Sequence, residues 1–265
     1  MSLKIIVCAK QVPDPEGPPT SYEVNAAEKK VIARGIPPVI NPFDENALEA
    51  AIRIKESLGA NITLLSLGKG LSRAVILKAV ASGADESLLV EGDTVDAALL
   101  DSHATATLLA AAIEKAGEYD LILTGRQAAD TNAGQVGLGI AQILGIPAIT
   151  LAQKVEVSDG RVSVERVLPD GYEVVEAPLP ALVTVSGEVG DLRYPSLQAI
   201  KAAKGLAQTV LGPADLDVDL SGLGRIKTAG LAAPSRERRC TMAEGDTPGE
   251  AGEKLAFLLR QDKVI

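Results

Sequence analysis

Aromatic side chains and histidine are scarce in this chain of 265 residues, which has no tryptophan, two phenylalanines and four tyrosines. Its core must therefore be aliphatic. A single histidine, His103, excludes a multi-histidine metal site. The run Asp101-Ser102-His103 contains the residue types of a hydrolytic triad, but neighbours on a helix point in different directions. We interpret that run as the start of a helix, and we expect no catalytic residue and no metal site.

Cysteine and positive charge are limited as well. Cys8 and Cys240 lie near opposite ends of the chain, which favours reduced thiols and a cytoplasmic location over a disulfide framework. The 26 basic residues are outnumbered by 35 acidic ones, which gives a formal net charge of -9. Because nucleic acids and anionic membrane surfaces attract basic proteins, this charge argues against both as partners. No run of about 18 apolar residues indicates a membrane span.

Hydrophobic patterning over roughly the first 185 residues predicts alternating strands and helices. Four short aliphatic runs are typical of strands that are buried on both faces. They begin at Lys4, Asn61, Glu86 and Asp120. Apolar residues recur at helical spacing over residues 45–58, 71–82 and 102–117. This alternation predicts an α/β fold, a mostly parallel sheet with helices on both faces.

The pattern changes beyond Thr150. Three runs of alternating or continuous apolar residues predict strands of an antiparallel extension to the sheet. They cover residues 161–167, 172–177 and 181–186. A short helix is predicted over residues 193–204 and a last helix over residues 248–260, which has one apolar face.

The segment over residues 205–246 is rich in glycine, proline, aspartate and serine and shows no periodicity. Irregular stretches longer than about 15 residues are uncommon inside a compact domain. Disorder is one interpretation, and an extended arm that becomes ordered against a partner subunit is the other. We favour the arm. We therefore expect an α/β domain over residues 1–188, followed by a partner-docking loop and the arm, ending in a helix, over residues 189–265.

Three loops ahead of predicted helices are candidates for a ligand site, because parallel sheets bind ligands beyond the carboxyl ends of their strands. The first, C-A-K-Q-V-P-D, follows the first strand. In the second, I-N-P-F-D-E-N-A, Asn41 suits a helix N-cap, Pro42 the first helical position and Asp44 the third. Capping alone would explain Asn41 and Pro42, whereas an exposed Phe43 is less easily explained in that way.

The third loop, T-G-R-Q-A-A-D-T-N-A-G-Q-V-G, matches neither the Walker A pattern nor G-x-G-x-x-G. Gly125 and Gly134 would let backbone amides approach a phosphate. Hydrogen bonds to a sugar or base would come from Asp130, Asn132 and Gln135. A plain polar turn is the alternative, but a long polar loop ahead of a helix N-terminus favours an anionic nucleotide.

Four segments, which follow one another along the chain, resemble the beta subunits of the electron transfer flavoproteins, the family that includes FixA. They are V-C-A-K-Q-V-P-D, I-N-P-F-D-E-N-A-L-E-A-A-I-R-I-K-E, G-R-Q-A-A-D-T-N-A-G-Q-V-G with I-L-G-I-P-A-I-T, and V-E-R-V-L-P-D-G-Y-E-V-V-E-A-P-L-P-A-L-V-T. The match extends from Lys4 to about Gly205 and continues weakly to the end of the chain.

The resemblance implies a Rossmann-like, nucleotide-binding core and a C-terminal arm that wraps an alpha subunit. That alpha subunit holds the redox FAD in its own C-terminal domain. The heterodimer would be an electron carrier, without substrate chemistry of its own. It would take electrons from dehydrogenases, such as acyl-CoA dehydrogenases, to a quinone oxidoreductase or another acceptor. The rival class of protein is a solitary nucleotide-binding regulatory protein built on the same sheet.

The resemblance also implies positions for an adenine nucleotide in this subunit. They are Cys8, Asn41, Pro42, Phe43, Asp44, Leu67, Gly125, Arg126, Gln127, Asp130, Thr131, Asn132, Gly134, Gln135 and Val136. The segment L-R-Y-P-S-L-Q-A-I-K-A-A-K resembles the loop that docks dehydrogenases in this family. It implies docking roles for Arg193 and Tyr194, with Leu197 at the position of an anchoring leucine.

Two nucleotides remain open for this subunit: AMP, as in plain carriers, or a second FAD, as in electron-bifurcating members that accept a hydride from NADH. Asp101 and the following Ala104-Thr105 resemble the bifurcating pattern, in which Ser102 replaces a threonine. Pro15 stands where AMP-type carriers often have a tyrosine, which also favours the bifurcating type. Leu100 replaces a small residue and would narrow the site for a second flavin ring, which favours the carrier with one FAD.

Overall fold

The computed structural model describes residues 2–96, 100–234 and 240–265. By internal contacts the chain divides into two compact units, Met1–Leu231 and Ala232–Ile265. The first unit is built on a nine-stranded sheet. The described part of the second contains a single helix. The proposed docking loop, which begins after residue 188, therefore belongs to the first compact unit.

The secondary structure elements of the described residues are numbered here in chain order. The strands are β1 (Leu3–Cys8), β2 (Gln11–Pro13), β3 (Tyr22–Asn25), β4 (Lys30–Ala33), β5 (Pro38–Ile40), β6 (Ala60–Gly68), β7 (Glu86–Glu91), β8 (Leu121–Gly125), β9 (Ala148–Ser158), β10 (Arg161–Leu168), β11 (Gly171–Pro178), β12 (Ala181–Val185) and β13 (Ala207–Leu211). The helices are α1 (Pro42–Leu58), α2 (Arg73–Ser82), α3 (Ser102–Ala116), α4 (Val136–Leu144), α5 (Leu197–Ala203) and α6 (Pro248–Gln261).

The central sheet has the strand order β11-β10-β9-β12-β8-β1-β6-β7-β13. From β9 to β13 in that order all neighbouring strands are parallel. β10 pairs antiparallel with both β9 and β11. This arrangement confirms the predicted α/β fold with a mostly parallel sheet and an antiparallel extension.

Alternating side chains of the central strands enter two separate cores. On β1, Ile5 and Val7 belong to one core, whereas Ile6 and Cys8 belong to the other. The first core is completed by α1 and α2, and the second by α3 and α4. Since successive strand residues point to opposite faces, a continuous aliphatic run is what a strand covered on both faces requires.

One predicted strand direction is wrong. The run starting at Ala181 was assigned to the antiparallel extension, but β12 lies between β8 and β9 and is parallel to both. All five of its residues are buried. Its continuous apolar composition thus reflects burial on both faces. The turns at Asp159-Gly160 and Asp170-Gly171 connect β9 with β10 and β10 with β11, and neither adjoins β12.

Three other features are not predicted by the hydrophobic pattern. Residues 207–211 lie in the segment without periodicity, yet they form the edge strand β13. Two small antiparallel sheets, β2 with β5 and β3 with β4, occupy residues 11–40. These strands are short and mostly exposed or half-buried, so no long aliphatic run announces them.

The helices follow the predicted spans closely. α5 begins four residues later than expected, because the side chain of Ser196 accepts a hydrogen bond from the N–H of Ala199 and caps it there. In the second unit, α6 begins at Pro248 after the N-cap Thr247, and Phe257 on it is exposed. No helix in the described parts of the chain is both long enough and apolar enough to cross a membrane.

Candidate functional site

A cavity of about 690 Å³ opens at the carboxyl ends of β1, β6 and β8. Its volume lies within the range of about 300 to 1,000 Å³ that is usual for ligand pockets. The walls come from the ends of these strands, the start of α3 and the loop between β8 and α4. The turn between β3 and β4 and residues 226–228 complete them. The cavity lies where ligands are expected in a parallel sheet.

Most of the predicted nucleotide-binding residues lie around this cavity. Those that line it are Cys8, Asp44, Leu67, Asp101, Ser102, Gly125, Arg126, Gln127, Thr131, Gly134, Gln135 and Val136. The remaining predicted residues lie outside the lining, and they are Asn41, Pro42, Phe43, Asp130 and Asn132. Four of this second group contact residues of the lining, and they are Asn41, Phe43, Asp130 and Asn132.

Asn41 does not cap its own helix with its side chain, although it occupies the N-cap position of α1. Its Nδ2 donates a hydrogen bond to the carbonyl of Gln127 at 2.8 Å, and its Oδ1 accepts one from the N–H of Ala129 at 2.9 Å. The side chain is fully buried. The capping interpretation is therefore wrong for Asn41, which fixes the third loop to the start of α1.

Asp44, in the second loop, connects the first loop with the third. Its carboxylate accepts hydrogen bonds from the N–H of Lys10 at 2.7 Å and from the N–H of Gly125 at 2.9 Å. Burial raises the pKa of Asp44 to about 7, although these hydrogen bonds oppose the shift. Asn41 and Asp44 together hold the three predicted loops in one arrangement at the start of α1.

Gly125 is a glycine because the start of α1 packs against it. A Cβ atom at this position would lie 2.5 Å from Oδ1 of Asp44 and 2.7 Å from the carbonyl carbon of Phe43. Its N–H is already bound to Asp44. Close packing thus explains the glycine, and the part that Gly125 plays in phosphate binding stays a prediction.

Phe43 is half-buried and not exposed as expected. Its ring lies beneath the guanidinium of Arg126, with 4.5 Å between the ring centroid and Cζ. This is a cation–π contact, which orients the guanidinium. Within the described part of the chain, the buried Nε of Arg126 has no hydrogen-bond partner. Arg126 thus lines the cavity as an oriented positive charge with an unused donor.

The start of α4 provides a second set of free donors. The N–H groups of residues 134–138 donate to no acceptor within the described ranges. Gly134, the first of them, lies in the left-handed region with a φ of 62°, and a Cβ there would have room. The glycine is therefore required by the backbone turn. Free N–H groups at a helix start carry about half a positive charge, which favours an anion.

Known proteins resemble this chain over most of its length. Residues 29–210 match the model of the electron transfer flavoprotein domain. The chain is 38% identical to the electron transfer flavoprotein subunit beta of Thermoanaerobacterium thermosaccharolyticum, over 99% of this chain and 100% of the relative. It is 36% identical to the subunit beta of Clostridium acetobutylicum, over 95% and 93% of the two chains. The chain belongs to the electron transfer flavoprotein family, as a beta subunit.

A further relative of this beta subunit is the caffeyl-CoA reductase-Etf complex subunit CarD of Acetobacterium woodii. The two are 34% identical over 99% of this chain and 100% of the relative. Membership of the family assigns an electron-transfer function to the beta subunit and implies association with a flavin and with an alpha subunit. The expectations drawn from the four sequence segments are confirmed at this level.

The charges around the cavity differ from those of the whole beta subunit. Four basic residues line it, Lys10, Lys29, Arg126 and Lys227, against the acidic residues Glu28, Asp44 and Asp101. Asp130, which is not part of the lining, pairs with the Nζ of Lys10 at 2.7 Å. The cavity is thus more basic than expected for a chain with a net charge of -9, which suits a phosphate-bearing ligand.

Lys29 and Lys227 were not predicted from the sequence. Lys29 lies in the turn between β3 and β4, with a φ of 53°, and Lys227 lies in a segment without periodicity. Neither position follows a predicted strand. No local signal therefore connects these two residues with the loops that form the rest of the cavity.

The lining of the cavity also includes a set of apolar side chains. They come from β6, α3, α4 and two segments without regular structure, and they are Leu65, Leu67, Leu100, Leu109, Val136 and Ile226. Leu100 also packs against the second core. Ser102 and Thr105 line the same cavity at the start of α3. The apolar side chains can pack against a planar ring system, and the two hydroxyl groups belong to the same lining.

Two other predicted residues have clear structural roles. Asp101 is the N-cap of α3, since its Oδ1 accepts a hydrogen bond from the N–H of Ala104 at 2.7 Å. The interpretation of Asp101-Ser102-His103 as a helix start is thus confirmed. Burial raises the pKa of the Cys8 thiol far above its usual range, so Cys8 is neutral at physiological pH and forms part of the apolar wall.

The segment predicted to dock a dehydrogenase is fixed at its start and exposed beyond it. Arg193 donates hydrogen bonds to the buried carboxylate of Glu49, with an Nε–O distance of 3.0 Å, and it also pairs with Glu56. Tyr194 and Leu197 are 92% and 80% exposed. Arg193 thus anchors the segment to α1, whereas the two apolar side chains face solvent.

Proposed function

We propose that this beta subunit and an alpha subunit form an electron carrier whose redox FAD is held mainly by the alpha subunit. We further propose that the cavity at the carboxyl ends of β1, β6 and β8 holds an adenine nucleotide. The observation that carries this proposal is the run of free N–H groups at residues 134–138, at the edge of a basic cavity. A nucleotide phosphate would complete those donors, as anions do at helix N-termini.

The chain offers distinct groups to the parts of a nucleotide. The amides at the start of α4 and the guanidinium of Arg126 would bind the phosphate. Gln127 and Gln135, which line the cavity, would hydrogen-bond the sugar or the base. The leucines of the lining would pack on a ring. Asn41 and Asp44 would hold the loops without touching the nucleotide's phosphate.

We call the free N–H groups of residues 134–138 and the guanidinium of Arg126 the nucleotide cradle. AMP is the first candidate for this nucleotide, because the nucleotide cradle and one apolar surface are all that it requires. A second FAD is the other candidate, and the cavity volume of about 690 Å³ together with the apolar side chains of the lining supports it. A second FAD would supply hydride chemistry with NADH and electron bifurcation. Leu100, Ser102 and Thr105 would then border the ring.

Electrons would enter from a flavoprotein dehydrogenase, such as an acyl-CoA dehydrogenase, and leave to a quinone oxidoreductase or another acceptor. The exposed side chains of Tyr194 and Leu197 support a docking surface. A relative that belongs to a caffeyl-CoA reductase-Etf complex supports a partner that acts on CoA esters. The free thiols of Cys8 and Cys240 support a cytoplasmic location.

The experiment is a count of cofactors in the purified heterodimer. The chain is coexpressed with an alpha subunit from the same organism, and the nucleotides released by denaturation are separated by chromatography. One FAD and one AMP per heterodimer support the plain carrier. Two FAD molecules, both bleached by NADH, support bifurcation. A stable colourless monomer that ignores the alpha subunit would overturn both and support a solitary regulatory protein.

A further inference from the structure

Residues 224–231 form a strap along one side of the cavity. The strap contains no helix or strand, and three of its residues, Ile226, Lys227 and Thr228, line the cavity. Nearly all of it is exposed to solvent. A segment of this kind contributes a wall only if something holds it in place.

A single carboxylate holds the strap. The N–H groups of Arg225 and Ile226 both donate hydrogen bonds to Oδ2 of Asp101, at 2.5 and 2.7 Å. Within residues 2–96, 100–234 and 240–265, these are the only hydrogen bonds that the strap makes. Asp101 lies 124 residues before Arg225 in the chain. The contact therefore joins two cavity walls that are distant in the sequence, the start of α3 and the strap.

The two oxygens of Asp101 have separate tasks. Oδ1 caps α3 by accepting the N–H of Ala104, while Oδ2 accepts both donors of the strap. Burial acts to raise the pKa of Asp101, but its three backbone donors hold that pKa below the usual range. The carboxylate is therefore ionised at neutral pH, and hydrogen bonds to it are stronger than those between neutral groups.

We propose that Asp101 is a positioning residue for nucleotide binding, whose carboxylate latches the strap against the cavity and sets how long a nucleotide stays bound. The inference rests on the proposed function, because it requires a nucleotide in the cavity. With the latch closed, Ile226, Lys227 and Thr228 form a wall. A nucleotide leaves after the two strap hydrogen bonds open, so Asp101 acts on the dissociation rate through the strap.

The substitution Asp101→Asn separates the two tasks of this residue. Asparagine is as good an N-cap as aspartate, so its oxygen keeps the hydrogen bond to Ala104. Its amide group is a donor and cannot accept the N–H groups of Arg225 and Ile226. Arg225→Pro tests the same contact from the strap, since it removes one N–H donor and leaves α3 untouched.

The measurement uses the purified heterodimer with its bound nucleotide. Release is followed as exchange against excess labelled AMP, or against FAD where the wild type carries two flavins. Hydrogen bonds to charged groups are worth about 1.5 to 3 kcal/mol, so each variant should release the nucleotide about tenfold to hundredfold faster. The association rate should not fall, because the same strap also has to open before a nucleotide enters. Because both variants open the same latch, the double variant should release no faster than the faster single one.

The control is Asp93→Asn. Asp93 is an exposed carboxylate that pairs with Lys69 and lies outside the cavity lining, so its variant should match the wild type. Wild-type release rates in both Asp101→Asn and Arg225→Pro would overturn the latch while leaving the proposed function intact. A slower association with unchanged release would overturn it as well. A wild-type heterodimer that neither contains nor takes up AMP or FAD would overturn the proposed function, and the latch with it.

Discussion

The carboxylate of Asp44 accepts a hydrogen bond from the backbone N–H of Gly125, 81 residues further along the chain, at 2.9 Å. The other oxygen of the same carboxylate accepts the N–H of Lys10. One buried side chain at the start of α1 therefore sets the relative position of the loops after β1 and β8. The proposed nucleotide site depends on this carboxyl group for the position of its loops, even though the phosphate would bind elsewhere.

Asp44 should make stability depend on pH near neutrality. Burial raises its pKa to about 7 from an ordinary value of 3.8. The folded state therefore binds the proton more tightly than the unfolded state, and the stability from this group is lost as the pH rises from about 4 through 7. Thermal midpoints of the wild-type heterodimer and of Asp44→Asn should be compared across this window. A difference between them that is constant with pH would contradict the prediction.

The Gly134→Ala substitution should weaken nucleotide binding through the backbone. Gly134 has a φ of 62°, which costs an L-residue about 1 to 2 kcal/mol. Gly145, after the other end of α4, has a φ of 66° and also has room for a Cβ. Both variants should lose similar thermal stability, but only Gly134→Ala should lose nucleotide from the purified heterodimer. Equal nucleotide retention in the two variants would show that the Gly134 turn does not shape the cradle.

The sequence pattern predicts those parts of the fold where burial is complete. The runs at Lys4, Asn61, Glu86 and Asp120 become β1, β6, β7 and β8, because strands covered on both faces must be aliphatic throughout. The direction of β12 could not be predicted in the same way. A short buried strand looks alike in a parallel and an antiparallel neighbourhood, and only its pairing with β8 decides.

The candidate site shows the same division. The loops around Asn41 and Gly134 were found because they join predicted strands to predicted helices. The contact of Asp101 with the strap could not be predicted, since it depends on Arg225 and Ile226, which lie in a segment without periodicity. Every residue except proline can donate a backbone N–H, so the residue type does not reveal such a hydrogen bond. Contacts of this kind appear only once the chain is folded.

The ion pair between Glu49 and Arg193 should stabilise the docking segment at neutral pH and not in acid. Burial opposes ionisation of Glu49, but the hydrogen bonds from Arg193 and Arg53 hold its pKa below the usual 4.5. Its contribution is therefore present above pH 4.5 and is lost as the pH falls through the lowered pKa. Glu49→Gln should lower the free energy of unfolding by about 1 to 3 kcal/mol at pH 7.

Glu56→Gln provides the matched control for that prediction. Glu56 also pairs with Arg193, but its side chain is 58% exposed, so its loss should change the free energy of unfolding by less than about 1 kcal/mol. Urea unfolding of the heterodimer at pH 7 and pH 4 checks both variants. If Glu49→Gln were as mild as Glu56→Gln at pH 7, the anchoring role of Glu49 would be wrong.

Leu197 should matter for docking and not for folding. Its side chain is 80% exposed at the first position of α5, so Leu197→Ala should change the free energy of unfolding by no more than about 0.5 kcal/mol. An exposed leucine that fills a partner's pocket can carry a large part of the binding energy. We therefore expect reduction of the heterodimer by its dehydrogenase, followed by flavin absorbance, to slow by about tenfold at low dehydrogenase concentration.

Leu206→Ala is the control for the docking prediction. Leu206 is also an exposed leucine of the first unit, 41% accessible, but it follows α5 and lies outside the docking segment. Its variant should be reduced at the wild-type rate. The flavin content of both variants should equal that of the wild type. Lost flavin or a lower Tm in Leu197→Ala would identify Leu197 as a structural residue, and an unchanged rate of reduction would place the dehydrogenase on another surface.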